Sequence, residues 1–160
     1  MGRCFAAGLV GLGAAWFGLA SWGACAPGSV DLRWQGGEVH FTAELADTEA
    51  LRETGLMHRS KLAGSAAMLF AYDQPGHVYY WMKNTEIPLD MIFADASGTV
   101  LKVHPNAIPQ DETAIDGGAD VQFVLEINGG LAKRLGIAPG AELRAAVIDQ
   151  TRAVWSCTGN

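Results

Sequence analysis

Short apolar stretches separated by turn-forming residues constrain this chain more than any other feature, because that pattern builds sheets. Beyond residue 26 they recur at close spacing. Asp31–Gln35 and Glu38–Leu45 flank Gly36-Gly37, a two-residue hairpin signal. Ala67–Tyr72, Val78–Lys83, Asp90–Asp95 and Thr99–His104 follow. The last pair is joined by Ala96-Ser97-Gly98, where Gly98 suits the left-handed position of a three-residue loop. With Val121–Ile127 and Glu142–Ile148, the reading predicts a mainly β fold of about eight strands, a sandwich or partly closed barrel of jelly-roll type. Two short helices are expected between them. One starts at Asp47 or Thr48, either of which can cap the first turn, and runs to Gly55; the other is Gly130–Leu135, stopped by Gly136. Gln110–Asp120, with Pro109 before it and Gly117-Gly118 inside it, reads as the longest structureless loop.

The first 26 residues differ in kind from the rest. Met1–Arg3 is a short basic start, Phe5–Ala20 is apolar and broken by glycines, and small residues follow. That order describes a secretory signal peptide, cut somewhere between residues 20 and 26, with no spanning segment after it. Residues 27–160 then form a single β-rich domain, exported to the periplasm or the medium. A cut after Ala20 or Gly23 leaves Cys25 in the mature chain, a cut after Ala24-Cys25-Ala26 removes it against an unfavourable Pro27, and, less favoured, Trp22-Gly23-Ala24-Cys25 is a lipoprotein-like box with Cys25 as a lipid anchor. If it survives, Cys25 and Cys157 are the two mature cysteines in an oxidising compartment and are expected to bridge.

Removing the leader takes away Arg3 alone among the charged residues, leaving 10 Lys and Arg against 17 Asp and Glu, a formal charge of −7. An acidic chain without a basic run is a poor match for a phosphate backbone, so nucleic acid is excluded as a partner. The histidines His40, His58, His77 and His104 show no paired ligand spacing, and no metal or cofactor is expected. No nucleophile elbow and no phosphate-binding glycine loop is present.

What remains is a concentration of polar groups inside apolar surface, "YYWMKNTEIPLDMIF" at residues 79–93. Pro88 lacks an N–H and forces Ile87 to be extended, so residues 85–88 should bend. Lys83, Asp90 and Glu126 each share a strand face with apolar neighbours, where an unpaired charge costs several kcal/mol. One resolution is a fastening in which Lys83 pairs with Asp90 or Glu126 while Asn84 and Thr85 satisfy the bend. The other is a ligand site built from Lys83, Asn84, Thr85, Asp90, Glu126, Trp81 and Arg59, with Trp81 or Tyr79 stacking on a ring.

Three stretches together resemble the domain-of-unknown-function 192 family. Arg52-Glu53-Thr54-Gly55-Leu56-Met57-His58-Arg59 is similar to its opening motif. Met68-Leu69-Phe70, Trp81-Met82-Lys83-Asn84-Thr85 and Ile87-Pro88-Leu89-Asp90 are similar to its central signature, and Val124-Leu125-Glu126-Ile127-Asn128 to its closing segment. Ala67 stands where the family usually has glycine. The resemblance implies a compact β-rich barrel or sandwich and supplies no established activity. Three readings therefore stay open: a binder of a small polar ligand or envelope component, an envelope-carbohydrate hydrolase using Asp90 and Glu126, and a pocketless interaction module.

Overall fold

The computed structural model describes residues 25–158. The expected signal peptide therefore lies, apart from its last two positions, outside the described residues. Seven strands and two short helices make up the described residues: β1 (Ser29–Trp34), β2 (Gly37–Ala46), α1 (Glu49–Thr54), β3 (Ala66–Tyr80), β4 (Leu89–Ala94), β5 (Val100–Ala107), β6 (Ile115–Asn128), α2 (Leu131–Leu135) and β7 (Glu142–Ala145). They form one sheet in the order β5-β4-β6-β3-β2-β1-β7. The sheet curls until its edges meet: Thr99 bridges Glu142, and the Leu143 N–H donates to Gly98 O at 2.7 Å. Of the two architectures left open by the sequence, the chain adopts the partly closed barrel.

Among the described residues six strand pairs form, and only β2 with β3 is parallel. Parallel neighbours need a crossover rather than a tight turn, and α1 with the segment after it supplies that crossover. Thr48 caps α1 by accepting from the Leu51 N–H, and Gly55 ends it at φ 48°. Both helix boundaries match the capping signals in the sequence to within a residue or two.

The centre of the sheet is covered on both faces. Inside the curl lie Leu32, Phe41, Leu69, Ile92, Leu125 and Ile127; on the outer face lie Met68, Phe70, Met91, Phe93 and Val124. Strands buried on both sides read as continuous apolar runs instead of alternating ones. "AAMLFA" at the start of β3 and "LDMIFA" in β4 are such runs.

Three expectations are corrected. The stretches Ala67–Tyr72 and Val78–Lys83 are one strand, since β3 carries Asp73-Gln74-Pro75-Gly76 through register shifts between Ala71 and Val78. Seven strands replace eight for that reason. The loop Gln110–Asp120 is half strand, because β6 begins at Ile115. Its Gly117 serves close packing: a Cβ there would lie 2.6 Å from the Phe93 ring. Finally, the first hairpin turns at Gln35-Gly36 rather than Gly36-Gly37, with Trp34 paired to Gly37.

The chain ends are tied together. Cys25 and Cys157 form a disulfide that spans 132 positions. Beside it the buried Asp31 and Arg144 pair at 2.8 Å, and the Arg144 guanidinium lies 3.9 Å from the Trp155 ring centre. The other Asp31 oxygen meets His40 Nδ1 at 2.7 Å.

Candidate functional site

Side chains alternate along a strand, and on β6 this places Glu126 with Val124 on the outer face. The register sets Glu126 opposite Met68 of β3 and Met91 of β4. Its carboxyl therefore rises between two thioether side chains in the middle of the sheet. The residue is 5% exposed. Among the described residues no side chain or backbone group pairs with it, and burial alone pushes its pKa up to about 8. Its oxygens are not sealed in, for they open on a cleft of about 600 Å³.

That cleft exists because α1 stands off the sheet. None of its six residues is buried, so the helix contributes a wall rather than a plug. Arg52 holds it there, donating from Nη1 to Asp47 O at 2.7 Å and Ala71 O at 2.8 Å. Glu49, Arg52 and Glu53 form the helix side of the cleft, and Gly55, Leu56 and Met57 continue it. The opposite side is aromatic, with Phe70, Tyr72, Tyr79, Tyr80 and Trp81, and Thr85 lies beside Glu126 at the base. The Tyr72 and Tyr80 hydroxyls are 3.1 Å apart. Burial, and after it the neighbouring Tyr72, pushes the Tyr80 pKa upward, so the Tyr80 hydroxyl stays neutral near pH 7.

The candidate residues separate. Trp81, Thr85 and Glu126 meet in the cleft. Lys83 does not join them: it sits in a turn beyond the end of β3, its ammonium 5.1 Å from the Trp81 ring centre. It reaches neither Asp90 nor Glu126, so the expected ion pair is absent. Asn84 takes a left-handed conformation, φ 53°, and its carbonyl accepts from the His58 N–H at 2.8 Å. Arg59 makes a two-pronged pair with Glu44, whose hydrogen bonds from the guanidinium hold the Glu44 pKa below its ordinary value.

Asp90 is a fastening. It pairs in register with Ile127, and therefore points to the inner face, opposite to Glu126. Its carboxylate accepts from the backbone N–H groups of Asn106, Gly130 and Ala132 at 2.6, 2.8 and 2.7 Å. Two of those donors open α2, which has no side-chain cap of its own. Two carboxyls on opposite faces cannot flank one glycosidic bond, which removes the hydrolase built on Asp90 and Glu126.

A family model described as "Uncharacterized ACR, COG1430" matches residues 31–145. The chain belongs to the DUF192 family. Two crystal structures resemble this DUF192 chain closely. One is a protein of unknown function from Novosphingobium aromaticivorans DSM 12444, with 41% identity and a TM-score of 0.71, covering 72% of this chain and 83% of the other. The second is a candidate transcription regulator from Sinorhizobium meliloti 1021, with 40% identity and a TM-score of 0.70, covering 77% of this chain and 96% of the other. No curated protein matches. Among the described residues no helix is long and apolar enough to cross a membrane, and no three His, Cys, Asp or Glu side chains gather as metal ligands.

Sequence reasoning missed the α1 wall, Glu49 and Glu53, and the tyrosines Tyr72 and Tyr80. Their shared cleft follows from the crossover between β2 and β3, which no local pattern announces. Two further hollows, of about 420 and 410 Å³, lie beside Lys102 and His104 and beside Leu45 and Val147. Neither holds a buried polar group without a partner.

Proposed function

We propose that this DUF192 chain is an exported binding protein that holds a small polar ligand, of the size of an envelope-derived building block, in the cleft above Glu126. Export rests on the basic, apolar and small-residue order of residues 1–26 and on the Cys25–Cys157 disulfide, a bond that persists in oxidising compartments. Binding rests on one observation above the others: a glutamate that is 95% buried as a residue, its carboxyl without a partner among the described residues, at the base of an open aromatic cleft. Burying such a group unpaired costs folding free energy, and a ligand that hydrogen-bonds to it recovers that cost. The half-exposed Trp81 and the exposed Tyr79 offer flat apolar faces for the rest of the ligand. This concave arrangement favours a binder over a pocketless interaction module.

The test is ligand-observed NMR on the mature protein with a panel of envelope sugars, amino acids and amines. Trp81→Ala and Glu126→Leu are each expected to abolish the signal of any binder, whereas Arg59→Ala leaves it intact. Binding that survives both cleft substitutions would overturn the assignment.

A further inference from the structure

The chemistry of the cleft narrows the ligand further. Its aromatic rings already attract cations: the Lys83 ammonium stands 5.1 Å from the Trp81 ring centre, and the Arg52 guanidinium 5.0 Å from that of Tyr72. The ring faces are thus presented as a cation needs them. The acidic and basic groups along the walls are Glu49, Glu53 and Glu126 against Arg52 alone, and Arg52 spends its Nη1 on two backbone carbonyls. Among the lining groups an anionic ligand would meet three carboxyls and a single guanidinium, already anchored to the backbone. At the base, no described residue donates a hydrogen bond to Glu126, and burial alone raises its pKa.

We propose that the cleft selects a small organic cation, an amine or quaternary ammonium head group, which seats over Trp81 and against Glu126 while the Glu126 carboxyl releases its proton to solvent. The inference rests on the cleft being a binding site and adds the charge of what it binds. The proton balance is simple. The free protein holds Glu126 as the acid, the cation arrives with its charge, and one proton leaves as the carboxylate forms an ion pair with the ligand. The groups facing this event are Glu49, Arg52 and Glu53 from α1, Tyr72, Tyr79 and Tyr80 from β3, and Trp81 and Thr85 from the segment after it. Of these, Tyr80 keeps its proton, because burial pushes its pKa upward. Lys83 then acts as a resident competitor for the Trp81 face.

Isothermal titration of the mature protein with choline and with its neutral isostere, 3,3-dimethylbutan-1-ol, separates the possibilities. Choline is expected to bind at least about tenfold more tightly than the isostere. Its heat at pH 7 should differ between phosphate and imidazole buffers by the ionisation enthalpy of about one proton. Affinity should rise from pH 6 to pH 9, because the proton must leave, and Glu126→Gln should remove both the preference and the buffer dependence. Lys83→Met should tighten choline binding several-fold by vacating the ring. Should Glu126→Gln fail to fold, Trp81→Ala, at a half-exposed position, carries the loss-of-binding arm. Equal affinity for choline and the isostere, or a heat independent of buffer, overturns the cation assignment. Binding of neutral sugars without amines overturns it too, yet leaves the cleft as a site. If no probe of either kind binds, the site itself falls.

Discussion

Two buried acids on neighbouring strands have opposite fates. Asp90, fully buried on β4, collects three backbone N–H groups and pins α2 to the sheet. Glu126, nearly as buried on β6, collects none and faces a cleft. Burial alone would not distinguish them. What differs is where the alternation of the strand sends each carboxyl. Asp90 points toward a helix start whose free N–H groups need an acceptor, while Glu126 points toward Met68, Met91 and open space. A satisfied buried acid is a structural device; an unsatisfied one is a debt carried for some other purpose.

Substitution should reveal that asymmetry most strongly at Asp90. Asp90→Ala leaves three backbone donors without an acceptor, at about 1–3 kcal/mol each, so a loss of about 5 kcal/mol is expected in urea unfolding. A loss below about 1 kcal/mol would show that water replaces the carboxylate and would erase the contrast. The disulfide provides a ruler next in size. Cys157→Ser, which opens a link spanning 132 positions, should lower stability by about 4 kcal/mol in the chain-entropy view. Intact mass of the protein should also be two hydrogens below that of the dithiol form, with no lipid adduct on Cys25.

Glu126 should behave in the opposite sense to Asp90. Because its folded pKa is raised from 4.5 to about 8, the folded protein keeps a proton that the unfolded chain has lost. Stability is therefore full below about pH 4.5 and falls as pH rises toward 8. At about 1.4 kcal/mol per unit, less what water entering the cleft recovers, the loss is about 3 kcal/mol. Glu126→Gln should flatten this dependence, leaving the variant more stable than the parent at pH 9 and similar to it at pH 5. Parallel pH profiles of the two melting temperatures would contradict the assignment. Lys83→Met should have the smallest effect, within about 0.5 kcal/mol, since a half-exposed ammonium over a ring contributes little. A loss as large as that of Asp90→Ala would restore Lys83 as a fastening.

The fold was legible where local chemistry decides it. Thr48 and Gly55 bound α1, Gly136 ends α2, and Gly98 turns left-handed at φ 87° between β4 and β5. It was illegible where tertiary contacts override local signals. Asp73-Gln74-Pro75-Gly76 has every mark of a turn, yet lies exposed along one long strand whose register shifts absorb it. Gly117-Gly118 looked like a flexible loop because a sequence cannot show the Phe93 ring that fills the space of a Cβ. The site was half legible. Trp81, Thr85 and Glu126 could be named from their polar and aromatic character amid apolar surface. Lys83 was misplaced because β3 stops at Tyr80, so the strand alternation that would have aimed it no longer applies.

The most direct measurement is a carbon-detected NMR titration of the Glu126 side-chain carboxyl in the ligand-free protein, assigned by its loss in Glu126→Gln. The expected midpoint lies near pH 8, well above the ordinary 4.5, with the signal of Glu44 titrating below that value. A Glu126 midpoint near 4.5 would mean that water or a protein donor already satisfies the carboxyl. The acid at the base of the cleft would then be no more available to a ligand than Asp90.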